Sequence, residues 1–364
     1  MNKTLTWVIV VIVVVLGIYL ITDSNSNQEP VTGEPIKIGV IAPLTGDVAF
    51  LGEGMRQAIL MAQEELGNTR YSYEVIFEDD QLRPSETATA ANKLVNIDNV
   101  DVLISTTSGS GNVISPIANE NQVLHIGIAS DANIANGFYN FIHWTPPSEE
   151  NKVFIEELKR RDITKLGIFE VNQQGVAAVT NDLEEKLEGT GIEVVTKQAF
   201  NFGETDFRSI ISKARDGGAE IYLLLAFSPE VEILARQIKE IGIETPLTSI
   251  ESFEFTEQKD LFEGEWYVNG ADPSDSFANE FELRAGTSPT PGAANGYDAF
   301  NLIVSASENI RQSTKPTSDQ IIEELLKINN FSGALGDLYI NEDGIVISEA
   351  VVRMIQDGKP VTIR

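Results

Sequence analysis

The segment that most constrains the fold is 36–66, in which a short apolar run leads through a turn into an amphipathic stretch of helical length. Residues 36–41 are apolar apart from one lysine and one glycine, 43–52 contain proline, threonine and glycine, and 53–66 carry apolar residues at helical spacing. This pattern predicts the opening strand, loop and helix of an α/β domain. Open α/β sheets bind ligands beyond the carboxyl ends of their strands, so the loop 43–52 is expected to face a ligand site.

The amino-terminal residues have a different character. Residues 5–21 are almost wholly apolar and uncharged, and this length is close to the roughly 17–25 residues needed to cross a bilayer. The positive charge of Lys3 precedes them, which predicts that the rest of the chain is exported. We interpret 1–22 as a membrane anchor, with a cleaved signal peptide as the alternative, although no Ala-x-Ala site follows. Residues 23–35 are polar and contain proline, glycine and serine, which predicts a flexible tether.

Size and composition limit the remaining possibilities. The roughly 330 residues after the tether exceed what one hydrophobic core usually organises, so two lobes are expected. A formal charge of −29 argues against binding to nucleic acid or to an anionic membrane surface. The chain has no cysteine, which excludes disulfides, thiolate nucleophiles, thiolate metal sites and a lipoprotein signal.

From residue 36 onward, short apolar runs alternate with amphipathic stretches, and the alternation restarts near residue 166. Strands are predicted at 36–41, 73–77, 100–105, 123–128, 141–144, 166–170, 194–199, 221–226 and 247–250. Helices are predicted at 53–66, 85–95, 112–119, 176–187, 206–214, 230–241, 274–285, 293–310 and 318–328. Two antiparallel strands, 338–340 and 345–354, are expected at the end of the chain. Two successive βα series predict two parallel sheets, each covered by helices on both faces.

Polar loops follow several of the predicted strands. Residues 105–112 read Ser-Thr-Thr-Ser-Gly-Ser-Gly-Asn, a set of hydroxyls and glycines between a strand and a helix. The free N–H groups of such a helix start suit an anion, but the same residues also fit an ordinary βα turn with a capping serine. Glu251 follows a strand of the second series, where a lone glutamate is more often solvated. Phe227 follows another strand and fits either a binding contact or core packing.

Residue patterns typical of enzymes are missing from the sequence. Only two histidines occur, His125 inside an apolar run and His143 beside Trp144, and both are interpreted as structural. No zinc-protease motif, nucleophile elbow, phosphate-binding loop or dinucleotide fingerprint is found. The acidic triplet 78–80 ends a predicted edge strand and is interpreted as solvated. We therefore predict no enzymatic activity, no metal and no cofactor.

Several segments together resemble the leucine/isoleucine/valine-binding-protein family, the type I periplasmic solute-binding proteins. They are the opening unit 36–66, the run Ala-Asn-Gly-Tyr-Asp-Ala-Phe at 294–300, and a carboxyl-terminal pattern made of 331–336, 341–344 and 357–359. The resemblance covers nearly all of 36–364.

This resemblance implies a two-lobed α/β fold with a ligand cleft between the lobes. It also implies three crossings between the lobes, near Pro146, Ala271 and Phe331. The expected first lobe comprises 36–145 plus 272–332, and the expected second lobe comprises 146–271 plus 333–364.

Site residues are also implied by the resemblance. The family's carboxylate-binding serine corresponds to Ser108, with Ser110 close by. The segment that receives the ligand's ammonium corresponds to Ser130 and Asp131, with an aspartate in place of the family's threonine. Its ammonium-binding acid corresponds to Glu251.

Three further positions concern the side-chain wall of the implied pocket. Phe227 matches an aromatic contact position of the family. Leu51 stands where an aromatic residue is common, and Gln174 replaces the tyrosine of a Tyr-Gly pair. These two departures change the pocket wall, so the family's ligand identity does not transfer to this chain.

The implied function is capture of an amino acid or similar small zwitterion and its delivery to the permease of an ABC importer. The protein would act at the extracytoplasmic face of the cell membrane, held there by the anchor, or would be secreted or periplasmic if the anchor is cleaved. A ligand-sensing ectodomain that signals through a membrane partner is the alternative. An exported enzyme ranks third, because an α/β fold alone is no evidence of catalysis.

Overall fold

A computed structural model describes residues 33–46, 48–256 and 258–364 of the chain. The predicted anchor, 1–22, and most of the predicted tether lie outside the described residues. Within those three ranges, no helix combines the length and the apolar character required to cross a bilayer.

Strands and helices alternate along the first two thirds of the chain, as the sequence predicts. The strands are β1 Ile36–Ala42, β2 Tyr73–Asp79, β3 Val102–Thr106, β4 Leu124–Ile128, β5 Asn140–His143, β6 Lys165–Val171, β7 Glu193–Phe200, β8 Ile221–Leu225, β9 Leu247–Ile250, β10 Trp266–Gly270, β11 Phe331–Gly333, β12 Gly336–Ile340, β13 Ile345–Ile347, β14 Ala350–Gln356 and β15 Lys359–Thr362. The α-helices are α1 Ala49–Glu64, α2 Pro84–Lys93, α3 Ser108–Asn121, α4 Pro147–Arg160, α5 Gln174–Leu187, α6 Arg208–Arg215, α7 Glu230–Glu240, α8 Asp275–Ala285, α9 Ala293–Asn309 and α10 Ser318–Leu325.

The first lobe is built on an eight-stranded sheet in the order β11-β12-β13-β5-β4-β3-β1-β2. Strands β13, β5, β4, β3, β1 and β2 run parallel to their neighbours. Most of their side chains are apolar, as expected where helices cover both faces of the sheet, although the edge strand β2 contains Glu74, Glu78 and Asp79. On one face Ile38, Ile104 and Ile126 pack with Phe300 of α9 in the main core cluster. Helix α1 packs against α9 and adds Met55 to the same cluster.

The second lobe is built on a seven-stranded sheet in the order β15-β14-β10-β9-β8-β6-β7. Strands β10, β9, β8, β6 and β7 form its parallel part. Alternate residues of β8 belong to two core clusters, with Leu224 in one and Leu223 in the other. This alternation shows that helices cover both faces, as predicted for a parallel sheet.

Both sheets are mixed, because antiparallel strands near the carboxyl terminus extend the parallel part that the sequence predicts for each sheet. Strands β11, β12, β14 and β15 join as antiparallel strands. Short turns join β11 to β12, β12 to β13 and β14 to β15, and such turns can connect only antiparallel neighbours. Strand β14 also pairs antiparallel with β10, after the chain has returned from the first lobe. In the turn after β12, Asn341 Oδ1 accepts hydrogen bonds from the backbone N–H groups of Asp343 and Ile345.

Sheet membership near the carboxyl terminus also differs from the expectation. Residues 333–347 were assigned to the second lobe, but β12 and β13 belong to the first sheet, where β13 pairs with β5. The strand predicted over 345–354 is two strands in different sheets, β13 and β14. The third crossing therefore lies at Ser348–Glu349 rather than near Phe331. A tight turn joins β12 to β13, so the chain stays in the first sheet until it crosses to the second lobe.

The three crossings lie side by side, and the first two fall near Pro146 and Ala271 as predicted. Thr145 Oγ1 lies 2.9 Å from Ser348 Oγ, which joins the first crossing to the third. The backbone N–H of Ala271 donates to the carbonyl of Glu349 at 2.9 Å, which joins the second crossing to the third. These short links are where hinge motion between the lobes would be concentrated.

Candidate functional site

A cavity open to solvent, with about 750 Å³ of empty space including its mouth, lies between the lobes at the carboxyl ends of both sheets. The strand order reverses between β3 and β1 in the first sheet and between β8 and β6 in the second, and crevices of this kind hold ligands in open α/β folds. The residues that line it on the first-lobe side are Leu51, Thr106, Thr107, Ser108, Ile128, Ala129, Ser130, Trp144, Pro291 and Gly292. Those on the second-lobe side are Gln173, Gly175, Val176, Val179, Leu225, Ala226, Phe227, Ile250, Glu251, Ser252 and Phe255.

Helix α3 begins at the cavity wall, directly after β3. Its first N–H groups have no partners within the helix, and its dipole favours a negative charge at this end. Thr107 caps the helix with φ +73°, and its Oγ1 accepts from the N–H of Ser110 at 3.4 Å. Ser108 lines the cavity, and its Oγ accepts from the backbone N–H of Asp131 at 3.3 Å. The hydroxyl hydrogen of Ser108 therefore remains available to donate to an anion.

Ser110 does not line the cavity, although the sequence placed it near the carboxylate site. Its Oγ donates to Asp80 Oδ2, which also accepts from Thr87 Oγ1 at 3.0 Å. Asp80 is fully buried, so the expectation that the acidic triplet 78–80 is solvated is wrong at this position. The donors around Asp80 satisfy its carboxylate, which makes that burial possible.

The loop after β4 separates the two residues predicted for the ammonium. Ser130 lines the cavity, but Asp131 does not. Asp131 Oδ1 accepts from the backbone N–H of Asn133 at 3.0 Å, and its Oδ2 accepts from Asn112 Nδ2 at 2.8 Å. The carboxylate of Asp131 thus holds its own loop against α3. Its predicted role toward the ligand's ammonium has no support from this geometry.

Helix α5 brings the second lobe close to these hydroxyls. A Cβ atom built on Gly175 would lie 3.0 Å from Ser108 Oγ and 3.1 Å from Ser130 Oγ. Gln174, the residue predicted for the pocket wall, points elsewhere, because its Oε1 accepts from Asn112 Nδ2 at 2.9 Å. Gln174 therefore links the two lobes beside the cavity, while its neighbours Gln173 and Gly175 line it.

Glu251 lines the cavity from the second lobe, directly after β9. Its backbone has φ +64°, an uncommon value for a residue other than glycine. Its Oε1 accepts a hydrogen bond from the indole N–H of Trp144, which reaches across from the first lobe. Burial raises the pKa of Glu251 above its ordinary value. Glu251 also borders a second, larger cavity, which contains Glu254, Asp272 and other acidic residues.

Two aromatic side chains, Phe227 and Phe255, contribute to the second-lobe wall of the cavity. Phe227 stacks on Phe202 with ring centroids 5.9 Å apart, and Phe255 lies 5.1 Å away on the other side. Phe202 is 52% exposed, so the aromatic row runs from solvent to the cavity. Leu51 faces the cavity from the first lobe, as predicted. These apolar lining residues suit an apolar group of a ligand, beside the polar side chains of Ser108, Ser130 and Glu251.

Neither histidine lines the cavity. His125 is fully buried between Ser105 Oγ and Asn140 Oδ1, each 2.8 Å from one ring nitrogen. Burial lowers the pKa of His125 to about 4, so the neutral ring is structural, as predicted. His143 is also buried, with its Nε2 3.9 Å from Asp298 Oδ2.

Two α/β lobes, three crossings and a cavity between the carboxyl ends of the sheets define a two-lobed ligand-binding protein. A family model described as periplasmic binding protein matches residues 35–359. The chain therefore belongs to the periplasmic binding proteins of type I, in the leucine/isoleucine/valine-binding family.

Curated relatives carry the same family name. The leucine-, isoleucine-, valine-, threonine-, and alanine-binding protein of Pseudomonas aeruginosa is 28% identical over 223 residues, which span 58% of this chain and 59% of that protein. A Leu/Ile/Val-binding protein homolog of Brucella melitensis is 22% identical and covers 90% of this chain and 84% of its own.

Solved structures share the fold. A leucine-binding protein of Thermotoga maritima superposes with a TM-score of 0.81 at 22% identity, covering 90% of this chain and 98% of its own. A branched-chain amino acid transporter substrate-binding protein of Streptococcus pneumoniae, solved with isoleucine, gives a TM-score of 0.78 at 20% identity, covering 90% and 100%.

Proposed function

We propose that this protein is an extracytoplasmic solute-binding protein that captures an amino acid or similar small zwitterion and delivers it to an ABC importer. The observation that carries this proposal is the polarity of the cavity. The α3 amino terminus and the Ser108 hydroxyl lie on one side, and the Glu251 carboxylate lies on the other. The first can bind a carboxylate, and the second can pair with an ammonium.

The remaining wall accounts for the side chain of such a ligand. Phe227, Phe255 and Leu51 offer apolar surface in the same cavity. Burial of apolar ligand area against this wall contributes about 25 cal/mol per Å² before the costs of binding. The printed names of the relatives from Pseudomonas aeruginosa and Streptococcus pneumoniae, which specify amino acids, support the same class of ligand.

Capture follows from the distribution of the contacts. The carboxylate site belongs to the first lobe and the ammonium site to the second, so one ligand binds both lobes only when the cleft is closed. Binding energy then shifts the population toward the closed state. Two hydrogen bonds between the lobes, from Asn112 to Gln174 and from Trp144 to Glu251, also stabilise the closed state. A permease that recognises the closed form would receive loaded protein.

Membrane tethering is the second part of the proposal, and it is based on the sequence of residues 5–21. An uncleaved anchor places the cavity beside the importer, at the end of a flexible tether. The test is fractionation of cells that produce the full-length chain. Protein of full mass in the membrane fraction supports the anchor, and shortened protein in the soluble fraction contradicts it.

The binding proposal is tested by a thermal-shift screen of the 35–364 fragment against amino acids, amides, polyamines and short peptides. Calorimetry on the best amino acid then compares Glu251→Gln with Glu149→Gln, a half-exposed glutamate on α4. Loss of one partner of a buried charge pair makes the free energy of binding less favourable by about 2 kcal/mol or more, which corresponds to about 30-fold weaker affinity. We expect this loss for Glu251→Gln alone. Equal affinity in both variants would contradict the assignment of Glu251.

A further inference from the structure

A second carboxyl group lies against Glu251. Glu150 belongs to the first turn of α4 and is 0% exposed. Within the described residues, no donor forms a hydrogen bond to either of its carboxyl oxygens. A buried carboxylate without donors is strongly unfavourable, so a group in this position holds a proton.

Glu251 is the neighbour with which that proton is shared. The backbone N–H of Glu251 donates to the carbonyl of Val268 at 2.8 Å, and Val268 belongs to β10, the strand against which α4 packs. This packing brings the carboxyl group of Glu150 next to that of Glu251, with a side-chain hydrogen bond between them. Two carboxyl groups in such contact do not both ionise readily, and one proton serves the pair. Glu251 already accepts the indole N–H of Trp144, which favours the negative charge on Glu251. The proton therefore belongs to Glu150, which donates to Glu251.

We propose that Glu150 is a positioning residue whose protonated carboxyl donates a hydrogen bond to Glu251 and thereby fixes the carboxylate that receives the ligand's ammonium. This inference depends on the proposed function, in which Glu251 pairs with an ammonium. The pair carries a single negative charge, which matches one ammonium group. Burial and the nearby charge of Glu251 raise the pKa of Glu150 well above its ordinary value, in agreement with this arrangement.

Other titratable groups near α4 are engaged elsewhere. Helix α4 packs against α5, β10 and β14. The buried and half-buried titratable groups of these three elements have the following partners: Asp182 binds Asn151 and Lys186, and Tyr267 and Arg353 both bind Glu254. His143, just before the first crossing, faces Asp298. Glu251 is the charged group that acts on Glu150.

The first test needs no ligand. The infrared spectrum of the full-length protein at pH 7 is compared with that of Glu150→Gln and of the control Glu149→Gln. We expect a carbonyl band of a protonated carboxyl group that Glu150→Gln removes and Glu149→Gln retains. If the spectrum at pH 7 shows no such difference, Glu150 is ionised and the proposal is overturned.

The second test measures binding of L-leucine and of 4-methylpentanoate, which has the same chain and carboxylate but no ammonium. Glu150→Gln keeps a donor for Glu251, and we expect leucine affinity within about threefold of the wild type. Glu150→Leu removes the donor, and we expect at least a tenfold loss for leucine with little change for 4-methylpentanoate. A similar loss for both compounds would show a merely structural role and overturn the proposal.

The pH profile provides an independent readout. Protonation of Glu251 removes the charge that binds the ammonium, so leucine affinity falls as the pH drops through the raised pKa of Glu251. Without the donor from residue 150 that pKa rises further, and the loss for Glu150→Leu begins at a higher pH. An unchanged profile would contradict the proposal. If neither leucine nor any compound of the screen binds, the proposed function fails, whereas the infrared result still decides the protonation of Glu150.

Discussion

The buried imidazole of His125 is expected to make the first lobe sensitive to acid. Its ring is neutral in the folded protein, with a pKa of about 4 against an ordinary value of 6.5. Between these pH values the unfolded chain binds a proton that the folded chain does not. The contribution of His125 to stability is therefore complete above pH 6.5 and is lost progressively as the pH falls toward 4.

The size of this effect follows from the same two values. The difference between these two pKa values amounts to about 3 kcal/mol of lost stability below pH 4. At pH 5 the loss is about 2 kcal/mol, and at pH 7.5 it is close to zero. A loss of about 2 kcal/mol is a large part of the roughly 5–15 kcal/mol by which natural domains are stable.

The assay is urea unfolding at pH 7.5 and pH 5.0, for the wild type and for His125→Gln. Glutamine offers a donor and an acceptor toward Asn140 and Ser105 but does not titrate in this range. The acidic groups that both proteins share change the free energy of unfolding equally, so their effect cancels in the comparison. We expect the wild type to lose about 2 kcal/mol more than the variant between the two pH values. Equal losses would refute the reasoning, as would an NMR titration of His125 with a pKa near 6.5.

Two further predictions concern the cavity wall. Ser108→Ala is expected to weaken amino-acid binding at least tenfold, as measured by calorimetry. Ser110→Ala should leave the affinity unchanged but lower the free energy of unfolding by about 1–3 kcal/mol, because buried Asp80 loses a hydrogen-bond donor. Urea unfolding of both variants measures this second effect. Gly175→Val should prevent full closure of the cleft and reduce the affinity for an amino acid at least tenfold. Gly67→Val is the control, because a side chain at Gly67 meets open space, and the ligand-free melting temperatures of the two variants should be similar. Similar affinities for these two variants would contradict the closed geometry.

The fold could be predicted because its signals are local. Strand β1 and helix α1 follow from apolar periodicity within about thirty residues, and both occur where the sequence placed them. Helix α4 went unpredicted although Pro147 and two glutamates mark its start. The charged residues between Phe154 and Leu158 weaken the apolar periodicity of this helix. The crossing at Ser348 was also missed, because an apolar strand pattern continues on both sides and does not record a change of sheet.

The site could be predicted only in part, because side-chain direction is not visible in the sequence. Ser108 and Ser110 are two positions apart at the start of α3, which separates them by about 200° around the helix. One therefore faces the cavity, whereas the other faces Asp80. Glu150 was missed for another reason. Its partner, Glu251, lies about a hundred residues away in the chain, and no local pattern joins them.

Two residues at the cavity, Thr107 and Glu251, have unusual backbone conformations. Asn99 and Gln122 have positive φ in the ordinary left-handed region, where helices commonly end. Thr107 (φ +73°, ψ 152°) and Glu251 (φ +64°, ψ −38°) lie outside that region, and each face of the cleft contains one of them.

Such conformations cost on the order of 1–3 kcal/mol each and persist only where the surrounding structure enforces them. Thr107 directly precedes the first residue of α3, and Glu251 accepts the indole N–H of Trp144. A relaxed backbone at either position would redirect these polar groups. The strain is thus located at the two positions that the proposed function requires to bind opposite charges of one ligand.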